Sequence, residues 1–100
     1  DDKVIPDLSQ NPNLNPDLIK KFFHIKDRYI DITLAANPST PKKILSEYYE
    51  RYDDELNLSL AANPSTPIEY LQQFQLDSRF FNLLTKNKTF TDNILNNLGI

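Results

Sequence analysis

The side chains with the most chemical reach fall in three places. His24, the single histidine, stands among Lys20, Lys21, Lys26 and Arg28, with Phe22 and Phe23 beside it. Further on, Tyr49, Glu50, Arg51 and Tyr52 form a run of aromatic and charged groups just after Glu47. Asp53-Asp54-Glu55 follows directly. Each suggests a different chemistry. Basic groups interleaved with aromatics suit a nucleic-acid surface. Tyr and Arg are enriched at the energetically dominant points of protein interfaces. Grouped carboxylates could hold a cation.

Composition weighs these against one another. One His, no Cys, a single Gly and no His/Asp/Glu set at ligand spacing leave no nucleophile–base pair, phosphate loop or metal centre. The expectation is a non-enzyme with no cofactor. The acidic run lacks the alternating spacing and closing Glu of a calcium loop, and reads as the start of a helix, where carboxylates complement the backbone dipole. A net charge of −3 and a pI near 5.0 deny the basic cluster any long-range attraction to phosphate, so it reads as a solvated helix face and nucleic acid as a disfavoured partner. The 49–52 run remains, and the partner it implies is another protein or another domain of the same chain. The candidate binding residues are Tyr49, Glu50, Arg51 and Tyr52, with His24 a more remote one.

The elements that position these groups follow from a phrase the chain contains twice. Leu34-Ala35-Ala36-Asn37-Pro38-Ser39-Thr40-Pro41 recurs without change from Leu60 to Pro67, an offset of 26 residues. A looser copy, Leu8-Ser9-Gln10-Asn11-Pro12-Asn13-Leu14-Asn15-Pro16, precedes them. Another, Leu84-Thr85-Lys86-Asn87-Lys88-Thr89-Phe90-Thr91, follows without the prolines. A fixed period of this size marks a repeat architecture, in which each unit buries its apolar face against its neighbours. Repeats over approximately 11–36, 37–62 and 63–86, with caps at 1–10 and 87–100, describe a single domain.

Within the phrase, Asn-Pro ends one helix and begins a type I turn. Thr40 and Thr66 are the expected N-caps, with Pro41 and Pro67 at the first helical position and Thr66/Glu69 at capping-box spacing. Counting from the last Pro, or from Thr91, apolar residues recur three, four and seven positions on: Ile19, Ile44, Tyr70, Ile94; Leu45, Leu71, Leu95; Phe23, Tyr48, Phe74, Leu98. That is one face of an α-helix. Lys20 breaks the second column, and a small rotation bringing in Leu18 and Phe22 would compensate. Long helices are expected near 16–27, 41–52, 67–76 and 91–98, and shorter ones near 28–36, 54–62 and 78–86. Eight positions on stand His24, Tyr49 and Gln75, and eleven on stand Asp27, Tyr52 and Ser78. Columns with no shared chemistry are expected to be exposed, which singles out Tyr49 and Tyr52.

Leu-Ala-x-Asn-Pro-x-Thr-Pro-x-x-x-Leu, over Leu34–Leu45 and Leu60–Leu71, resembles the leucine-rich repeat variant family of helical repeat proteins. The resemblance covers roughly residues 8–98 and loosens at both ends. It implies an all-α, right-handed α-solenoid in which each unit pairs an α-helix with a second helix, α or 3-10, and no sheet forms. A founding member couples such repeats to a cysteine-ligated iron–sulfur region, which a chain without Cys does not reproduce. Elsewhere the family implies interaction modules. The functional expectation is thus a scaffold that binds protein, against a structural spacer within a larger polypeptide.

No apolar run approaches the ~20 residues a membrane helix needs, and no signal peptide is visible. With Cys absent as well, the cytoplasm is the favoured compartment. The absence of Met, and a stop at Ile100 just after an apparent helix end, suggest an excised piece of a longer array. Asn57-Leu58-Ser59 and Asn87-Lys88-Thr89 match the glycosylation acceptor pattern, which arises readily by chance in an Asn-rich chain.

Overall fold

A computed structural model describes residues 11–97. Among them are seven α-helices and one 3-10 turn, with no strand. The helices are α1 (Pro16–Ile25), α2 (Arg28–Ala36), α3 (Lys42–Tyr49), α4 (Asp54–Ala62), α5 (Ile68–Phe74), α6 (Phe81–Thr85) and α7 (Lys88–Asn97), with the 3-10 turn at Ser78–Phe80 leading into α6. The expected cap at 1–10, residues 98–100 of the expected cap at 87–100, and Leu98 in its apolar column lie outside the described residues.

The expected division into long and short helices is not found, since α3 is shorter than α4 and α1 only slightly longer than α2. The ends of the first helices were expected too late because the chain leaves them by backbone turns. Lys26 and Tyr52 sit in the left-handed region, at φ 59° and 52°. Their N–H groups bond back to Phe23 O and Tyr49 O. Directly after them Asp27 and Asp53 cap the second helices, accepting from Ile30 N and Leu56 N. Asp77 does the same for the 3-10 turn through Arg79 N.

The caps of α3 and α5 also differ from expectation. Pro41 and Pro67 are the N-cap residues themselves, and neither Thr40 nor Thr66 caps the helix that follows. Each hydroxyl instead donates backward, to Leu34 O and Leu60 O at 2.7 Å. The reason lies in Pro38 and Pro64. A helical carbonyl at position 34 or 60 would accept from the amide four residues on, and proline has none. The buried threonine hydroxyl supplies the missing donor, and the Thr66/Glu69 capping box does not form. In the last copy Lys88 and Thr91 replace the prolines, so α7 starts three residues earlier than expected, with Asn87 Oδ1 accepting from Thr89 N and Phe90 N.

Packing follows the two helix types. α1 lies on α2 and α3 on α4, while α2 packs against α4, α4 against α5 and α6, and α7 against α5 and α6. Ile30, Leu34, Leu45, Tyr48, Leu56, Leu60, Leu71, Phe74, Phe80 and Leu84 form one continuous core. In α1 the buried pair is Ile19 and Phe22, the rotation that Lys20 called for, but Leu18 stays largely exposed.

The asparagines of the phrase join the copies. Asn37 Nδ2 donates to Asn11 O; Asn63 Nδ2 to Ala35 O and Asn37 O; Asn87 Nδ2 to Ala61 O and Asn63 O, all at 2.8–3.1 Å. Each Oδ1 accepts the amide two residues on. A parallel row of hydroxyls, Ser39 to Pro12 O, Ser65 to Pro38 O and Thr89 to Pro64 O, runs beside it. Helix ends leave carbonyls without intrahelical donors, and a buried amide that meets two of them relieves that cost.

Candidate functional site

The run from Tyr48 to Asp54 leaves α3, turns and enters α4. Its first anchor is buried. Tyr48 donates its hydroxyl to Asp31 Oδ1 at 2.8 Å, and Arg51 Nη1 reaches Asp31 Oδ2 at 3.1 Å. Asp31 is a carboxylate inside the core, and the two donors from the next helix pair are what make its burial tolerable. Burial, with the Asp31 bond second, pushes the Tyr48 hydroxyl well above the ordinary tyrosine range. Arg51 also lies over the rings of Tyr48 and Phe23, 5.0 and 5.8 Å from their centroids. It is therefore an anchor of the turn, with part of its side chain still open to solvent.

Tyr49 is not the exposed aromatic its column suggested. It is half-buried, its ring stacked on Tyr70 at 3.9 Å and 11°, with Phe74 at 5.8 Å. The column test failed here because the mismatch has a packing cause: Tyr70 stands where the neighbouring copies carry Ile44 and Ile94, and Tyr49 fills the gap against it. Tyr52 is the opposite case. It is 83% exposed on a left-handed backbone that a non-glycine residue adopts at a cost of about 1 kcal/mol. Glu50 beside it is exposed. His24 is exposed at the end of α1, its ring edge-on to Phe23.

The charged groups on this edge are mostly engaged with each other. Arg28 pairs with Asp53 (2.8 Å) and Glu55 (2.8 Å), joining α2 to α4. Arg79 pairs with Asp54 and Asp77, joining α4 to the 3-10 turn. The Arg28 hydrogen bond, with Leu56 N second, lowers the Asp53 carboxyl to about 2. Arg79 holds Asp77 below the usual carboxylate range. Arg28, read in sequence as part of a basic cluster, thus has its charge matched by acids from the next helix pair. Lys20, Lys21 and Lys26 are exposed.

One alignment escaped the sequence reading. Counting back from the Asn of the following copy (Asn37, Asn63 and Asn87) instead of forward from the closing Pro brings Asp27, Asp53 and Asp77 into one column, and Lys26, Tyr52 and Leu76 into the column before it. All three of the latter are exposed, Leu76 at 80%. The extra residue between Asn11 and Pro16 in the first copy, and the shorter third copy, hid this register. Both glycosylation-pattern asparagines are withdrawn from the surface, Asn87 buried and Asn57 half-buried. Among the described residues no group of His, Cys, Asp and Glu could hold a metal ion, and no helix is long and apolar enough to cross a membrane.

The chain matches no family model, no curated protein and no solved structure.

Proposed function

We propose that the chain is a right-handed α-solenoid of the leucine-rich repeat variant type that acts as a protein-binding scaffold, engaging its partner along the edge at Tyr52. Asparagine bonds recurring at intervals of 26, 26 and 24 residues support the stacked arrangement. The binding reading is carried by one observation: Tyr52 is 83% exposed while the residue before it is fastened to Asp31. A solvent-exposed tyrosine, with two side-chain torsions, loses little conformational entropy on binding and gains much from burial. Glu50 beside it, and Lys26 and Leu76 in the same column, give the edge a basic, an aromatic and an apolar position in order.

The experiment is affinity capture from native extract with the wild-type chain and with Tyr52→Ala and Glu50→Ala. A protein retained by wild type and lost with Tyr52→Ala, at unchanged helical circular dichroism, is the expected result. Retention equal in both, or no specific protein retained, overturns the reading and leaves the spacer role.

A further inference from the structure

We infer that the groove between α6 and α7 is the seat of an amphipathic helix from a partner protein, of the pattern Asp-x-x-apolar-x-x-x-Leu. The groove has a volume of about 500 Å³ and is walled by Leu76, Phe81, Leu84, Phe90 and Ile94. It is the one place where a column that is buried elsewhere opens. Leu45 and Leu71, four positions into their columns, are 0% exposed, whereas Leu95 is 46% exposed. Ile44 is buried, whereas Ile94 is 41% exposed.

What covers the equivalent faces is on the page. α1 carries α2, α3 carries α4, and Phe74 of α5 stacks on Phe80 of the 3-10 turn at 4.8 Å. Among the described residues α7 carries no such helix. The three covering segments share one pattern: Asp27-x-x-Ile30-x-x-x-Leu34, Asp53-x-x-Leu56-x-x-x-Leu60 and Asp77-x-x-Phe80-x-x-x-Leu84. In each, the Asp caps the segment and the two apolar residues enter the core. Each later covering helix also packs on the one before it, α4 on α2 and α6 on α4. The walls offered by α6 and α7 thus continue an interface already built twice. Charge agrees. Arg28 at the start of α2 reaches forward to the acidic cap of α4, and the exposed Arg79 stands at the corresponding start of the 3-10 turn. An acidic helix start and two apolar residues four apart are what this seat selects.

The probe is a synthetic peptide with the sequence of residues 51–63, titrated into isotope-labelled chain followed by amide chemical shifts. So short a helix is marginal alone, so saturation is expected only at high micromolar to millimolar peptide. Expected are shifts at Phe81, Leu84, Phe90, Ile94 and Leu95, and at least tenfold weaker binding for Leu95→Asp. Because Leu95 is half-exposed, that variant keeps its fold, which the unchanged remainder of the spectrum checks. A peptide carrying Leu60→Asp is expected to bind at least tenfold more weakly. Shifts spread over α2 and α4 would mean the peptide displaces α4, and overturn the assignment. So would the absence of shifts on α6 and α7, or self-association of the peptide-free chain that Leu95→Asp abolishes, which would give the face to a second copy. None of these readouts involves Tyr52.

Discussion

Replacing Asn63 by Ala removes three hydrogen bonds at once, two of them buried. Its Nδ2 donates to Ala35 O and to Asn37 O, both at 2.9 Å, and its Oδ1 accepts from Ser65 N at 2.9 Å. The side chain is fully buried, so water cannot replace these partners without opening the contact between copies. At a net value of about 1 kcal/mol per bond, the loss is about 3 kcal/mol. In a domain of this size each kcal/mol lowers Tm by about 4–8 °C, so a fall of about 12–24 °C is expected in thermal unfolding followed at 222 nm. Asn96→Ala, on the exposed side of α7, is expected to stay within about 0.5 kcal/mol. Asn63→Asp sharpens the test because it keeps the shape and removes the donor. A carboxylate facing two carbonyls in the core is held protonated, raising its folded pKa above its unfolded value near 3.9. Stability relative to wild type is then greatest below about pH 4 and declines as pH rises towards 7. A loss under about 1 kcal/mol for Asn63→Ala, or an Asn63→Asp deficit that is flat across that range, would refute the reasoning.

Other perturbations probe the anchors of the turn. Tyr48→Phe leaves Asp31 Oδ1 without its hydroxyl donor in the core, and is expected to cost about 1–3 kcal/mol in urea unfolding; an unchanged midpoint contradicts the anchor. Tyr49→Phe keeps the ring on Tyr70 and is expected to remain within about 0.5 kcal/mol, whereas Tyr49→Ala loses stack and buried area together, about 2 kcal/mol by the same assay. Asp53 has its carboxyl lowered to about 2, so its contribution is present above about pH 4 and fades as pH falls through 2. Solvent around the pair keeps that contribution below about 1 kcal/mol. Asp53→Asn, which still caps α4, is expected to reduce the drop in unfolding free energy between pH 5 and 2.5, and 1 M salt to reduce the wild-type drop likewise.

How far the sequence spoke for itself depended on the range of the interaction. The extents of α2 and α4 at 28–36 and 54–62 were legible, because apolar residues four apart, an Asn-Pro stop and, for α4, an acidic start are all local signals. Ile44, Leu45 and Tyr48 were legible for the same reason and are core, but the same columns hold the exposed Lys20, Ile94 and Leu95. Thr40 and Thr66 were misread because a cap and a backward bond need the same residue type at the same position. Only the amide four residues on that Pro38 or Pro64 removes from Leu34 O or Leu60 O decides between them. Tyr49 was misread because its partner, Tyr70, belongs to the next copy. Asp31 gave no signal at all: its neighbours Tyr48 and Arg51 are 17 and 20 residues away. Tyr52's exposure was legible, though its left-handed backbone was not, since nothing in the residue type favours it.

The asparagine row has a direction. Every amide points from a later copy to carbonyls of an earlier one, Asn87 to Asn63, Asn63 to Asn37 and Asn37 to Asn11. On a ribosome the N-terminal end emerges first, at about 5–20 residues per second. Each asparagine therefore leaves the tunnel after its acceptors have had a second or more to become helical, and it never has to wait for an acceptor still unsynthesised. The row is ordered so that the chain can be locked one copy at a time in the order in which it is made.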